Sequence, residues 1–120
     1  EDRIGSPVAE LPAWLRHAVG EFGRPEHLAG GTQAFAKLAG RSPEHVNRIL
    51  RQALGKTTTD VVNEIRLDYA ARQLRMSDQK ITEIALDCGL GNLGHFYSLF
   101  QKRFRLTPRK YRIRQHSLVR

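Results

Sequence analysis

Apolar residues along this chain recur at helical spacing and almost nowhere alternate, so the pattern predicts helices and gives almost no strand signal. Leu11, Trp14, Leu15, Ala18, Val19 and Phe22 open the series, with Pro12 suited to a first turn and Gly23 to a stop. Gly30, Gly31 and Thr32 break the chain before a short helix over 32–39. Ser42 followed by Pro43 is a start signal, a hydroxyl cap and then a residue preset for helix. Val46, Ile49, Leu50, Ala53 and Leu54 then form one apolar stripe, which Gly55 ends. Thr57 and Asp60 form a capping-box-like pair that opens the longest helix, running to Met76. Its apolar residues take two sides, Val62, Ile65 and Tyr69 on one and Leu67, Ala70, Ala71 and Leu74 on another. Burial on two sides predicts a spine packed between two subdomains, spanning roughly 27 to 30 Å. After a polar break at 77–79 come a short helix over 81–87, a longer one over 92–104, and a last helix capped by Thr107 and Pro108 that carries Tyr111.

The pattern is written twice. Phe35, Ala36, Gly40, Val46, Leu50, Gly55 and Thr57 answer to Ile84, Ala85, Gly89, Phe96, Phe100, Arg105 and Thr107. Gly40 to Gly89 is an offset of 49 and Thr57 to Thr107 one of 50, so the second copy holds one extra residue. Each copy reads as helix, glycine turn, amphipathic helix and a capping Thr, the grammar of a helix-turn-helix. The fold class is therefore all-α, two helix-turn-helix subdomains joined by a long central helix, about seven helices in all. The expected segments are an N-terminal helix and linker from an upstream domain (1–24), the first helix-turn-helix (25–57), the connecting helix (58–77), the second helix-turn-helix with the C-terminal helix (78–114), and a tail (115–120). Two such units point to a protein that reads DNA at two places. The 120 residues suffice for a core without staples. The chain opens at Glu1 without an initiator Met, which predicts a piece of something longer.

Charge sharpens the choice of partner. Lys and Arg number 20 against 12 Asp and Glu, a net +8, and no acid follows Asp87. The last 33 residues hold Lys102, Arg103, Arg105, Arg109, Lys110, Arg112, Arg114 and Arg120, while residues 1 to 87 balance at 12 against 12. A one-signed block attracts polyanions, DNA first, with RNA or an anionic membrane as alternatives. No apolar run approaches membrane-span length and no signal peptide is visible, which argues against a membrane role. A single cysteine, Cys88, suits the cytosol.

The faces of the two reading helices differ. With Val46 and Leu50 inward, the first presents Glu44, Arg48, Arg51 and Gln52, with Asn47 on the flank. Arg can fork onto guanine, Asn can pair with adenine, and Glu can accept from the cytosine amine. With Phe96, Phe100 and Phe104 inward, the second presents Gly94, Ser98, Gln101 and Lys102, with His95 and Tyr97 at the edges. That face is poor in long hydrogen-bonding side chains. The first helix is thus expected to specify sequence, and the second mainly to grip backbone and approach closely. A bland alternative is that both faces are simply solvated.

The stretch ITEIALDCGLGNLGHFYSLFQKRFRLTPRKYR closely resembles the signature of the arabinose-regulator (AraC/XylS) family of bacterial transcription factors. RSPEHVNRILRQALGKTTTDVVNEIRL looks like that family's first helix-turn-helix and connecting helix, and the resemblance covers residues 33–112. SPEHVNR and NEIRLDYAARQL look most like the subgroup of chitobiose and related sugar regulators. The resemblance implies a seven-helix DNA-binding domain whose two reading helices enter successive major-groove segments, about one turn or roughly 34 Å apart. Carried over by position, the base-reading sites fall on Glu44, Asn47 and Arg48, then on Leu93, Gly94, Tyr97 and Ser98. Phosphate contacts are assigned to Ser42, Arg51, Asn92, His95, Lys102 and Arg109. Members often have Ser or Gln where Gly94 stands and Arg where Ser98 stands. The resemblance also implies an effector-binding domain outside this chain, double-stranded DNA as partner with RNA polymerase a further candidate, and a cytoplasmic location.

Other chemistry finds little footing. GLGNLG, residues 89–94, matches the dinucleotide pattern, but that motif needs a strand before it and an acid some twenty residues after it, and neither is present. His17, His27, His45, His95 and His116 form no metal-ligand spacing. Cys88 reads as a small buried hydrophobe, and Trp14 as core or as a docking surface for the missing domain. No paired carboxylates or activated nucleophile can be named, so neither enzyme activity nor a cofactor is expected. The alternative function is a basic helical module for RNA or a protein partner.

Overall fold

The computed structural model describes residues 10–118. The start of the expected 1–24 segment and the end of the 115–120 tail, Arg120 included, lie outside the described residues. Among the described residues there are eight helices and no strand: α1 Ala13–Phe22, α2 Pro25–Leu28, α3 Gly31–Ala39, α4 Pro43–Leu54, α5 Thr58–Met76, α6 Ile81–Asp87, α7 Leu93–Phe104 and α8 Pro108–Leu118. The helix beyond the expected seven is α2, a single turn opened by Pro25 and anchored by buried Leu28. Four residues are too few to show a periodic stripe. None of these helices is long and apolar enough to cross a membrane.

Packing divides the chain inside α5, with one unit ending at Val62 and the next starting at Asn63. In the first unit α1 packs against α3 and α2, so the helix expected within a linker segment is part of the unit's own core. Leu11, Leu15, Ala18 and Phe22 are buried there with Phe35, Val46 and Leu50. The Phe22 and Phe35 rings meet edge to face at 5.7 Å. Gly40 ends α3 in the left-handed region (φ 68°), where a side chain would be strained. Ser42 then caps α4: its hydroxyl accepts from the His45 N–H at 3.2 Å, and Pro43 fills the first turn, where its missing N–H leaves nothing unpaired. A second left-handed glycine, Gly55 (φ 69°), ends α4. Ala53, expected in the buried stripe, is exposed, while Ile49 and Leu54 are half-buried, so the inward face of α4 narrows in its last turn.

Thr57 and Asp60 close a reciprocal capping box at the start of α5. The Thr57 N–H donates to Asp60 Oδ2 and the Asp60 N–H to Thr57 Oγ1, both at 3.0 Å. From there α5 runs unbroken for 19 residues. Val61 and Val62 are buried near its start and Leu67, Ala70, Ala71 and Leu74 further on, with Ile65 and Tyr69 half-buried.

The second unit has an aromatic interior. Phe96 and Phe100 are fully buried, worth up to about 3 kcal/mol each relative to exposure. Phe104 is half-buried, its ring 4.6 Å from Phe100, and Tyr111 of α8 lies 5.4 Å from both. Gly89 (φ 89°) turns the chain after α6, with the Leu90 N–H bonded to the Ala85 carbonyl at 2.8 Å and the Gly89 N–H to Leu86 at 3.0 Å. That paired closure satisfies carbonyls at the end of a helix. Asn92 caps α7 through the His95 N–H at 2.9 Å, and Thr107 accepts from the Lys110 N–H at 3.2 Å. The polar break after α5 is held by Ser77, whose hydroxyl donates to the Gln73 carbonyl and accepts from the Gln79 N–H.

Candidate nucleic-acid interface

α4 places its polar residues as its stripe requires. Glu44, Arg48, Arg51 and Gln52 are exposed opposite buried Val46 and Leu50. Arg48 is tethered, its Nη2 donating to His45 Nδ1 at 2.6 Å. Asn47 is half-buried, and its Oδ1 accepts from the Thr58 N–H at 3.0 Å and faces the Thr58 hydroxyl at 3.4 Å. The amide oxygen therefore satisfies an orphan N–H at the start of α5, and Asn47 keeps only its amide donors for a ligand. A fork on adenine needs both donor and acceptor, so the expected pairing with adenine is not available in this arrangement. Asn47, Thr32, Gln33, Pro43, Thr58 and Thr59 are among the residues lining an open cleft of about 380 Å³ beside α4.

On α7, Leu93, Gly94, His95, Ser98, Gln101 and Lys102 are exposed and Tyr97 is half-buried against Phe96. Leu93 stands 39% exposed, an apolar side chain in solvent at the start of the helix. Gly94 has room for a side chain: a Cβ built there meets only Asn92 Oδ1, at an ordinary 3.5 Å. A glycine inside a helix costs about 1 kcal/mol relative to alanine, and nothing within the fold demands it here. Of the residues assigned to phosphate, Ser42 and Asn92 use their side-chain oxygens as caps, while Arg51, Lys102 and Arg109 stand in solvent.

The basic block of the second unit is partly structural. Arg103 holds Asp68 in a fork, Nε to Oδ1 at 3.0 Å and Nη2 to Oδ2 at 3.1 Å, with Glu64 at 3.9 Å. Arg112 donates to the Leu74 carbonyl at 3.2 Å and the Ser77 carbonyl at 3.1 Å, closing the C-terminal end of α5. Neither contact was legible beforehand, because both join residues 35 or more apart in the chain. Lys102, Arg105, Arg109, Lys110 and Arg114 are exposed. Cys88 is fully buried, its thiol donating weakly to the Ala85 carbonyl at 3.4 Å. Burial pushes its pKa up from 9.0 to about 11, so it stays a neutral thiol rather than a nucleophile.

Two units of helix, glycine turn and capped amphipathic helix, each presenting a polar face, define a double helix-turn-helix DNA-binding domain. A family model described as "Helix-turn-helix domain" matches residues 35–114. The chain is 40% identical over 84 residues to "HTH-type transcriptional regulator GlxA" of Rhizobium meliloti (strain 1021), covering 70% of this chain and 26% of that protein. It is 34% identical over 112 residues to "HTH-type transcriptional activator RhaS" of Salmonella schwarzengrund (strain CVM19633), covering 92% of this chain and 37% of that one. A crystal structure of a transcriptional regulator from Chromobacterium violaceum, described by its AraC-type DNA-binding domain, superposes with a TM-score of 0.73 at 30% identity, over 85% of this chain and 91% of the other. The chain belongs to the arabinose-regulator (AraC/XylS) family. This domain binds DNA sequence-specifically in transcription regulation, in a family of regulators rather than enzymes. It spans only the stated fractions, 26% and 37%, of these two curated relatives.

Proposed function

We propose that the two units divide the work of reading DNA, α4 selecting base pairs and α7 mainly fixing the domain on the backbone in an adjacent major-groove segment. One observation carries this reading: two equally capped 12-residue helices present very different outward faces. On α4, Arg48 is the guanine reader and Glu44 accepts from a cytosine amine, while Asn47 contributes donors alone. On α7, the bare backbone at Gly94 permits close approach, Leu93 and Tyr97 supply apolar contact for a thymine methyl, and Ser98 adds a short hydroxyl. Ser42, Arg51, Asn92, His95, Lys102 and Arg109 position the domain on phosphates. Because the two readers differ, one copy of the domain prefers a non-palindromic site. The full protein is a bacterial cytoplasmic regulator in which an effector-binding domain elsewhere governs this one, with RNA polymerase as a further partner. The greater lengths of GlxA and RhaS support that reading.

Binding to duplexes that differ at single base pairs tests the division. Arg48→Ala should cost about 1–3 kcal/mol and relax preference at one base pair, whereas Ser98→Ala should leave preferences intact. Equal loss on every duplex would make Arg48 a phosphate contact and overturn its assignment. Neutralising about six phosphates predicts a log-log salt slope near −5. A slope near zero, or displacement of duplex by excess structured RNA, would count against the reading as a whole.

A further inference from the structure

Outside the residues that the family model matches, one side chain of α1 reaches the reading helix. Trp14 is half-buried, although Leu15 and Ala18 beside it are fully buried. Its indole stacks on the His45 imidazole, ring centroids 5.5 Å apart and planes within 26°. The Arg41 guanidinium lies over the same indole, 4.5 Å from the centroid, and Arg41 Nη1 also donates to the Gly40 carbonyl at 3.2 Å. His45 in turn receives Arg48 Nη2 on Nδ1 at 2.6 Å. A guanidinium has donors only, so Nδ1 presents its lone pair and the ring proton sits on Nε2. Arg41, Trp14, His45 and Arg48 thus form one continuous chain of contacts from the α3–α4 turn, across α1, to the outward face of α4.

We propose that Trp14 is a positioning residue for DNA reading, holding Arg41 directly and Arg48 through His45 in the poses that meet the duplex. The inference rests on the assignment of Arg48 as a base reader. A free arginine side chain samples many rotamers, and freezing it at the moment of docking weakens both affinity and discrimination. A tryptophan face is the strongest aromatic seat for a cation, here Arg41, and the imidazole stacked on it holds a second guanidinium by the hydrogen bond at Nδ1. Simple core filling would not require an indole left partly in solvent between a guanidinium and an imidazole.

A double-mutant cycle on the preferred duplex and its single-base-pair variants tests the proposal. Trp14→Leu keeps an apolar side chain on α1 but removes the ring, and thermal melting checks that it folds. It should lower discrimination about three- to ten-fold at the same base pair that Arg48→Ala relaxes. Trp14→Phe should recover most of that loss, and once Arg48 is already Ala, Trp14→Leu should add no further loss of discrimination at that base pair, whatever affinity it costs through Arg41. Unchanged discrimination in Trp14→Leu, or losses that add in the double variant, would overturn the proposal. Should Arg48→Ala weaken all duplexes alike, the base-reading assignment fails, and the same cycle is scored on overall affinity, where coupling supports positioning and additivity overturns it. If Trp14→Leu does not fold, Trp14→Met, which fills more of the same space without a ring, carries the same cycle.

Discussion

The two units share a frame and differ in what they build on it. Ser42 and Asn92 cap their helices through N–H groups exactly fifty positions apart, His45 and His95, and each helix ends in a left-handed residue, Gly55 or Arg105. Thr57 and Thr107 then cap the helix that follows, again at the same offset. Inside, the equivalent core positions are Val46 and Leu50 in one unit and Phe96 and Phe100 in the other. Outside, Glu44 and Arg48 answer to Gly94 and Ser98, while Arg51 and Gln52 answer to Gln101 and Lys102, so the contrast lies in the first half of each face. Caps and inward positions must be kept if the turn is to form, whereas the outward face is free to change with the DNA it meets. Duplication of a frame therefore does not imply duplication of its task.

The second unit depends most on its aromatic interior. Phe100→Ala removes a ring that touches Phe96, Phe104 and Tyr111, and should destabilise by about 3–5 kcal/mol in a denaturant titration. A loss below about 1 kcal/mol would show that the second unit does not depend on that cluster. The next effect depends on pH. Cys88 stands where the first unit has buried Ala39. Its pKa is raised by burial to about 11, so the unfolded chain releases the thiol proton from about pH 9 upward while the folded one retains it. Stability is intact below that range and should fall by about 2 kcal/mol as pH rises to 11. Cys88→Ala, which borrows the residue of the first unit, should flatten that fall; an unaltered slope would assign it elsewhere. The smallest effect exchanges the helix ends. Arg105 holds φ 67°, the one positive φ outside glycine among the described residues. Relief of about 1–2 kcal/mol of strain, less about 0.5–1 for glycine's chain entropy, predicts a gain of about 0.5 kcal/mol for Arg105→Gly. Gly55→Arg should lose about 1 kcal/mol, and a stabilised Gly55→Arg would contradict this account.

Much of the frame was legible in the sequence because it is local. Ser42–Pro43, Thr57 with Asp60, and Thr107–Pro108 mark helix starts that lie within a residue of those observed. Hydroxyl caps and prolines act on their immediate neighbours, so spacing alone reveals them. α2 escaped because one turn has no period, and Ala53 fell outside the core because periodicity assigns a direction but not a packing partner. The candidate interface was legible as a set of faces. Its internal contacts were not: the Asn47 oxygen on Thr58, Arg103 on Asp68 and Trp14 on His45 all join elements that only the fold brings together. Trp14, expected as core or as a docking surface, is half-buried and lies against His45 of α4 in its own unit.

Selection from a random duplex pool with this chain, followed by sequencing of the bound fraction, tests the division of labour most directly. The account predicts an asymmetric site in which one half is sharply defined, and Arg48→Ala blurs one of its positions. Two equally defined half-sites, or a bound pool no different from the input, would contradict it.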